Sequence, residues 1–400
     1  MTPAKRHAIT AGAGVGGLVA ALALARAGLR VTVLERAALL EETGAGIQLP
    51  PNALRALDTL GLGETLRARA DKSEGLRVRE ARSGRHLMSL SSAAMQARWG
   101  APSLVMHRAD LLRLLVEAIA LHPGINLTTG AALAGFSNGA DGVVVALKRG
   151  LLRQQISGDL LIGADGLRST VRGRLLEDKL DGPQPIGAVA WRALIEAQRL
   201  PAEARSGETD LWLAPNLHVV TYPLRGGRLI NVVAVLRAAG APVAAPNDEW
   251  NQPGDPAAIA AAFARTAPPL RQLIAAAEGW RVWPLHESAP LQHWSQGRVA
   301  LLGDAAHAMA PFLAQGAAQA IEDAIALGRA LQANGDTAAA LLAYDRARSG
   351  RAAEVARQSR KQGAIYHLAG PAAFVRNLVM RHSGEARLLK RLDWLYAAPA

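Results

Sequence analysis

Apolar positions in this chain follow two patterns. Short continuous runs end in glycine-rich turns, and between them lies a stretch of alternating apolar and polar positions. Ala8-Ile9-Thr10-Ala11 reads as a buried strand, followed by the turn Gly12-Ala13-Gly14-Val15-Gly16-Gly17. Residues 18–27 then form an alanine- and leucine-rich helix stopped by Gly28, and residues 29–34 a second strand ending at Glu35. This is a strand–helix–strand unit. Two later runs, 159–162 and 298–302, end in Gly163-Ala164-Asp165-Gly166 and Gly303-Asp304-Ala305-Ala306-His307, and residues 317–331 read as a long helix. Residues 180–284 look different. Strands are expected at 187–194, 209–213, 217–222 and 229–236, with a hairpin turn at Arg225-Gly226-Gly227-Arg228 and one or two helices over 255–277. Alternation on the third of these strands puts His218, Val220 and Tyr222 on one face.

The first turn has the form of a dinucleotide-binding loop. Gly12 permits the tight turn, Gly14 lets the backbone approach a pyrophosphate, and Gly17 lets helix and strand pack closely. The helix start offers N–H groups and partial positive charge to phosphate. Glu35 at the tip of the second strand is placed for an adenosine ribose, with Arg36 beside it. Ser169 is a candidate helix cap, and Arg168 and Arg172 would share a helix face near phosphates. Asp304 at a strand end suits ribityl hydroxyls. The Gln315-Gly316-Ala317 step would aim a helix N-terminus at a flavin ring, where negative charge develops on reduction. Together the three segments describe one large dinucleotide held at three points, which favours FAD over the cofactor of a plain dehydrogenase.

Bulk properties narrow the field. The chain has 400 residues, half of them hydrophobic, enough for two or three domain-sized units. It contains no cysteine, which excludes disulfides and thiolate chemistry. The net charge of +12 suits an anionic cofactor and a carboxylated substrate. No basic stripe interleaved with aromatics suggests nucleic acid. Lys5-Arg6-His7 leads directly into a strand, and no apolar run has membrane-spanning length, so a soluble, cytoplasmic protein is expected.

With these motifs in this order, the chain resembles the single-component FAD-dependent aromatic hydroxylases, the family of para-hydroxybenzoate and salicylate hydroxylases. Gly44-Ala45-Gly46-Ile47-Gln48 with Pro51-Asn52-Ala53-Leu54 is similar to that family's segment after the second strand, and His107-Arg108-Ala109-Asp110-Leu111 to its arginine-bearing flavin segment. Leu313-Ala314-Gln315-Gly316-Ala317 resembles the branch with 3-hydroxybenzoate 6-hydroxylase and 6-hydroxynicotinate 3-monooxygenase, whereas the widespread form has glycine at the position of Ala314. Phe312 departs from the polar residue of some relatives.

The resemblance implies FAD contacts from Gln48, Arg108, Asp165 and Asp304, with Asp165 also linked to NAD(P)H. It implies a substrate pocket lined by His218 and Tyr222.

The expected fold is α/β: a Rossmann-like FAD-binding domain with a parallel sheet (1–72, 100–179 and 285–360), an inserted antiparallel-sheet substrate domain (73–99 and 180–284), and C-terminal helices (361–400). By the resemblance those helices pack on the FAD domain and often join a dimer interface, so a homodimer is an open expectation. The expected reaction is hydroxylation of a small aromatic ring by dioxygen through a flavin C4a-hydroperoxide, with NADH or NADPH as electron donor. His218 is the expected general base, with a pKa near neutrality; Tyr222 and Gln315 would position the ring. Trp191-Arg192 offers an arginine to a substrate carboxylate or the flavin edge. His307 is expected to make a structural hydrogen bond, and His286, His293, His367 and His382, lacking metal-ligand spacing, read as structural. Two alternatives stay open: a flavin oxidoreductase of this fold without oxygen insertion, and a non-catalytic flavin-binding protein.

Overall fold

The computed structural model describes residues 5–40, 45–176, 182–237 and 251–398. Gly44, which opens one expected flavin segment, and the expected boundary at 179/180 lie outside them.

A six-stranded sheet forms the centre of the parallel-sheet half. Its order is Ser295–Gln296, Val299–Leu301, Leu160–Gly163, His7–Ala11, Arg30–Leu34, Ile125–Thr128, parallel except for the first, short edge strand. The inner strands are predominantly apolar and buried because both faces are covered. Their register is level: Ala11 pairs with Gly163 and with Leu34, and Gly163 pairs with Leu301. The three glycine-bearing motifs therefore leave the sheet side by side at its carboxyl edge, where open parallel sheets bind ligands. The helix Val15–Arg26 packs against the helix Gly316–Ala333, which starts one residue before the expected position and runs two beyond.

The second half is an eight-stranded, mostly antiparallel sheet. Its order is Gln252–Pro253, Arg281–Glu287, Gln184–Glu196, Leu229–Arg237, Leu217–Leu224, Thr209–Ala214, Gly75–Glu80, His86–Ser91. Its outer face, including Trp212, Val219 and Val232, is sealed by Ile259, Phe263, Leu270 and Leu273 from the helices Pro256–Ala262 and Pro268–Ala276. Its inner face meets a small sheet built from Gly46–Leu49, Leu104–His107 and Asp71–Lys72.

After the 30-residue helix Thr337–Tyr366, two shorter helices, Gly370–His382 and Glu385–Tyr396, close the chain. They do not pack on the parallel-sheet half alone. Leu389 joins Leu90, Met95 and Trp99, and Met380 joins Leu87, Leu211 and Leu213, on apolar side chains at the edge of the antiparallel sheet. Among the described residues no helix is long and apolar enough to cross a membrane.

Candidate active site

The cleft at the carboxyl edge of the parallel sheet is shaped by missing side chains. Gly12 has φ of +102° and donates its N–H to Leu34 O at 2.7 Å. A Cβ on Gly17 would collide with the Gly12 carbonyl, so this contact is possible only for glycine. Gly14, by contrast, faces open space, as does Gly316 at the start of the other helix. The two helix N-termini thus present bare backbone to the same cleft. Glu35 accepts from Ala13 N and Ala37 N, both at 2.9 Å, and so braces the glycine turn, while Arg36 is exposed. Asp304 is the exposed residue in an otherwise buried run from 299 to 308, and its carboxylate has no hydrogen-bond partner among the described residues.

Asp165 is used differently. Its carboxylate accepts from Ser169 Oγ, Thr170 N and Val171 N, so it caps the helix Thr170–Leu175 together with Ser169. Burial raises its pKa, and those hydrogen bonds only partly offset the shift. Arg172 does not face phosphates as expected. It is buried and donates to the carbonyls of Ala289, Ala305 and Ala306, tying this helix to the third motif. Gln48 is half-buried on its strand, and Arg108 opens the helix Arg108–Ala120, its backbone N–H donating to Ala45 O.

Behind the third motif lies a buried ionic cluster. Asp323, fully buried, accepts from Gly303 N at 3.1 Å, His307 Nε2 at 2.6 Å and Arg348 Nε at 2.7 Å. Glu322 accepts from Arg348, from Arg351 at 2.6 and 2.9 Å, and from Asn52 Nδ2 at 2.6 Å. Asn52 and Gln319 also donate to Gln315 Oε1. His307 is thus structural, as expected. Ala314, before Gln315, sits in the left-handed region with φ of +53°, a conformation costly for any residue with a Cβ. The loop that ends in Gln315 and Gly316 is consequently pinned from behind by paired charges.

The inner face of the antiparallel sheet meets this loop from the front. His218, Val220 and Tyr222 do share that face. The His218 ring lies 5.7 Å from the ring of Phe312, which belongs to the loop, and 5.3 Å from Tyr366. Tyr222 packs on the Cα of Gly46, where a side chain would clash, and the Gly46 N–H donates to Asn231 at 2.8 Å. Arg192 occupies the same face, its guanidinium 3.9 Å from the centre of the Trp283 ring.

Burial raises the Tyr222 pKa, although Arg192 and Asn231 pull the other way, so the phenol stays neutral. Burial also brings His218 down to about 3, with His367 adding to the effect. This works against the base role expected of His218, because an imidazolium formed there would be desolvated.

Residues 6–359 match the model of the FAD binding domain family. The chain belongs to this family. It is 36% identical over 393 residues to a 3-hydroxybenzoate 6-hydroxylase of Klebsiella oxytoca, covering 98% of this chain and 96% of that protein. It is 38% identical over 392 residues to the 3-amino-4-hydroxybenzoate 2-monooxygenase PtnB3 of Streptomyces platensis, covering 97% and 95%. Its fold matches Klebsiella pneumoniae HpxO complexed with FAD and uric acid at a TM-score of 0.85 and 27% identity, covering 98% and 97%. A salicylate hydroxylase substrate complex matches at 0.85 and 26% identity, covering 100% and 97%. This member of the FAD binding domain family is an FAD-dependent monooxygenase of the aromatic hydroxylase kind, with NADH or NADPH as co-substrate.

The residues present fit an FAD. Gly14 and Gly316 leave room for it, and among the described residues neither the Asp304 carboxylate nor the Nε2 of Gln315, only 1% exposed, has a partner.

Sequence reasoning missed two features. The pairing of Glu322 and Asp323 with Arg348 and Arg351 was signalled only by two acids inside an apolar helix. His367, read as merely structural, lies with Nε2 2.8 Å from Nδ1 of His218. The two histidines are 149 positions apart, so no local pattern could link them.

Proposed function

We propose that this enzyme hydroxylates a small phenolic or heteroaromatic carboxylate. The observation that carries the reading is the closure of the His218/Tyr222 face onto the flavin loop at Phe312 and onto Gly46. That arrangement brings aromatic rings and neutral donors together on one face next to the loop at Phe312. FAD, when bound, supplies the redox chemistry, taking electrons from NADH or NADPH and activating dioxygen. The chain does the rest. Gly14 would receive the pyrophosphate on the turn that Gly12 and Gly17 shape, with Glu35 and Arg36 at the adenosine end. Asp304 would hold the ribityl chain, Gln48, Arg108 and Asp165 would flank the cofactor, and the helix N-terminus at Gly316 and Ala317 would stabilise negative charge on the reduced flavin. His218 hydrogen-bonds the ring oxygen, while Tyr222 and Gln315 set the ring's orientation. Arg192, next to Tyr222 and stacked on Trp283, supplies the positive charge that a substrate carboxylate calls for. The antiparallel sheet excludes water from the reacting atoms. Relatives of similar length act on hydroxybenzoates and aminohydroxybenzoates, which supports this class.

The enzyme works in the cytoplasm and pairs as a homodimer. The exposed stripe Phe374, Val375, Leu378 and Val379 on the penultimate helix supports the pairing. The test is a screen of hydroxybenzoates and hydroxypyridine carboxylates for stimulated NAD(P)H oxidation, with matched oxygen uptake and identification of the product. A preparation that stays colourless with added FAD, or that turns over without a hydroxylated product, overturns the proposal.

A further inference from the structure

We propose that His367 locks His218 in the tautomer that carries its proton on Nε2, so that His218 meets the substrate as a hydrogen-bond donor. The inference rests on the reading of His218 as a pocket residue.

Nδ1 of His218 and Nε2 of His367 are 2.8 Å apart and share one proton. Both rings are buried, at 3% and 5% exposure. Neither has freedom to turn away. His218 is fixed by its place in the sheet and by the rings of Phe312 and Tyr366. His367 is fixed by Asn216, whose N–H donates to its carbonyl at 3.2 Å, and by the Phe312 ring standing at 90° to it. Arg376 donates to the carbonyls of Ile365 and Tyr366 and holds the turn in place.

Only two neutral arrangements satisfy the shared contact. If His218 donated from Nδ1, the proton of His367 would have to sit on its own Nδ1. That atom is buried and has no partner among the described residues. A buried N–H without an acceptor is the more costly defect, and folded proteins rarely contain one. If His367 donates from Nε2 instead, its own Nδ1 keeps only a lone pair, and the N–H in need of an acceptor is that of His218 Nε2, for which a ligand can supply one. The proton of His218 then occupies Nε2, the nitrogen left to face a ligand. A charged form of either ring is opposed by burial and by Arg237 and Arg376 near His367. Arg192 and Tyr222 occupy the same sheet face as His218, and Tyr366 borders it.

An N–H aimed at the ring oxygen favours phenolate over phenol, because a charged acceptor makes the stronger hydrogen bond. His218 therefore stabilises the electron-rich form of the ring without taking its proton. His367 acts through His218 and is a positioning residue.

The direct test is nitrogen NMR of the FAD-loaded enzyme carrying ring-¹⁵N histidine, with the His218 signals identified by their loss in His218→Gln. A protonated Nε2 and a bare Nδ1 are expected; the reverse overturns the proposal. A second measurement uses 3-hydroxybenzoate and its ultraviolet difference spectrum at neutral pH. Wild type should hold it as phenolate. His367→Leu should weaken that binding about tenfold or more. His367→Gln, which keeps an N–H donor, should restore it to within about threefold while FAD content stays constant in both variants. Equal binding by the Leu variant and wild type overturns the proposal. Failure of wild type to bind any aromatic acid counts instead against the proposed function, and the tautomer measurement still decides the inference.

Discussion

Replacing Arg348 with methionine tests whether the flavin loop is held by charge from behind. Arg348 makes hydrogen bonds of 2.7 Å to each of Asp323, Glu322 and Gln319. Removing one member of a buried ion pair costs about 3–5 kcal/mol, because the remaining charge is left desolvated. Here the loss is uneven. Glu322 retains Arg351, so the deficit falls on Asp323, which keeps only His307 and the Gly303 N–H. We therefore expect the lower end of the range, about 3 kcal/mol, against a typical domain stability of about 5–15 kcal/mol. With a urea slope of about 3 kcal/mol per molar, the midpoint should fall by about 1 M. Gly303 and Asp304 should loosen as well, raising the FAD dissociation constant measured by flavin fluorescence. Arg348→Lys, which keeps the charge but loses the fork, should lie between the two. A methionine variant that holds FAD as tightly as wild type and unfolds within about 0.3 M of it refutes the reasoning.

Further outcomes separate the roles of neighbouring groups. Gly17→Ala should destabilise the FAD-free protein through its clash with Gly12, whereas Gly14→Ala should leave thermal stability of the FAD-free protein unchanged and weaken FAD binding. Ala314→Gly should raise stability by about 1 kcal/mol by removing the left-handed strain, seen as a higher melting temperature; no rise would mean the loop offsets it elsewhere. His218→Ala should slow hydroxylation more than flavin reduction in stopped-flow traces, and equal slowing would remove His218 from the oxygen step.

Acid should release the ionic cluster. Burial alone would raise Glu322 and Asp323, but Arg351, Arg348 and His307 more than offset it and hold both carboxyls below their ordinary values of 4.5 and 3.8. Such groups add stability above those values and lose it as pH falls through the lower, folded ones. Melting temperature should therefore drop more steeply below about pH 4 in wild type than in Asp323→Asn.

The nucleotide half was legible because its signals are local. A run such as 8–11 ending in Gly12, or 298–302 ending in Gly303, encodes a buried strand and its turn within a few residues. The face shared by His218 and Tyr222 was likewise set by strand alternation alone. What could not be read depends on distant partners. Arg172 looked like a phosphate ligand because its helix follows an Asp-Gly turn, yet three carbonyls from residues 289–306 capture it. Ala314 itself gave no sign of its positive φ, since alanine is an unremarkable residue in sequence; the hint lay in the glycine that the widespread form of the family has at that position.

The distribution of charge explains why the pocket needs neutral chemistry. Glu322, Asp323, Arg348 and Arg351 spend their charge on one another, behind Gln315 and away from the ring. In the proposed pocket, Tyr222 and His218 have their ionisation suppressed by burial in both directions, one unable to lose a proton cheaply and the other unable to gain one. An anionic ring therefore finds donors and the guanidinium of Arg192, with no competing carboxylate among the side chains assigned to the pocket. Such a setting stabilises negative charge on the substrate while the cofactor cleft, with two helix N-termini, stabilises it on the flavin. A carboxylate introduced on this face, as in Val220→Glu, should therefore repel the substrate. Its binding should weaken far more than its FAD affinity, and parallel losses in both would refute this division of charge.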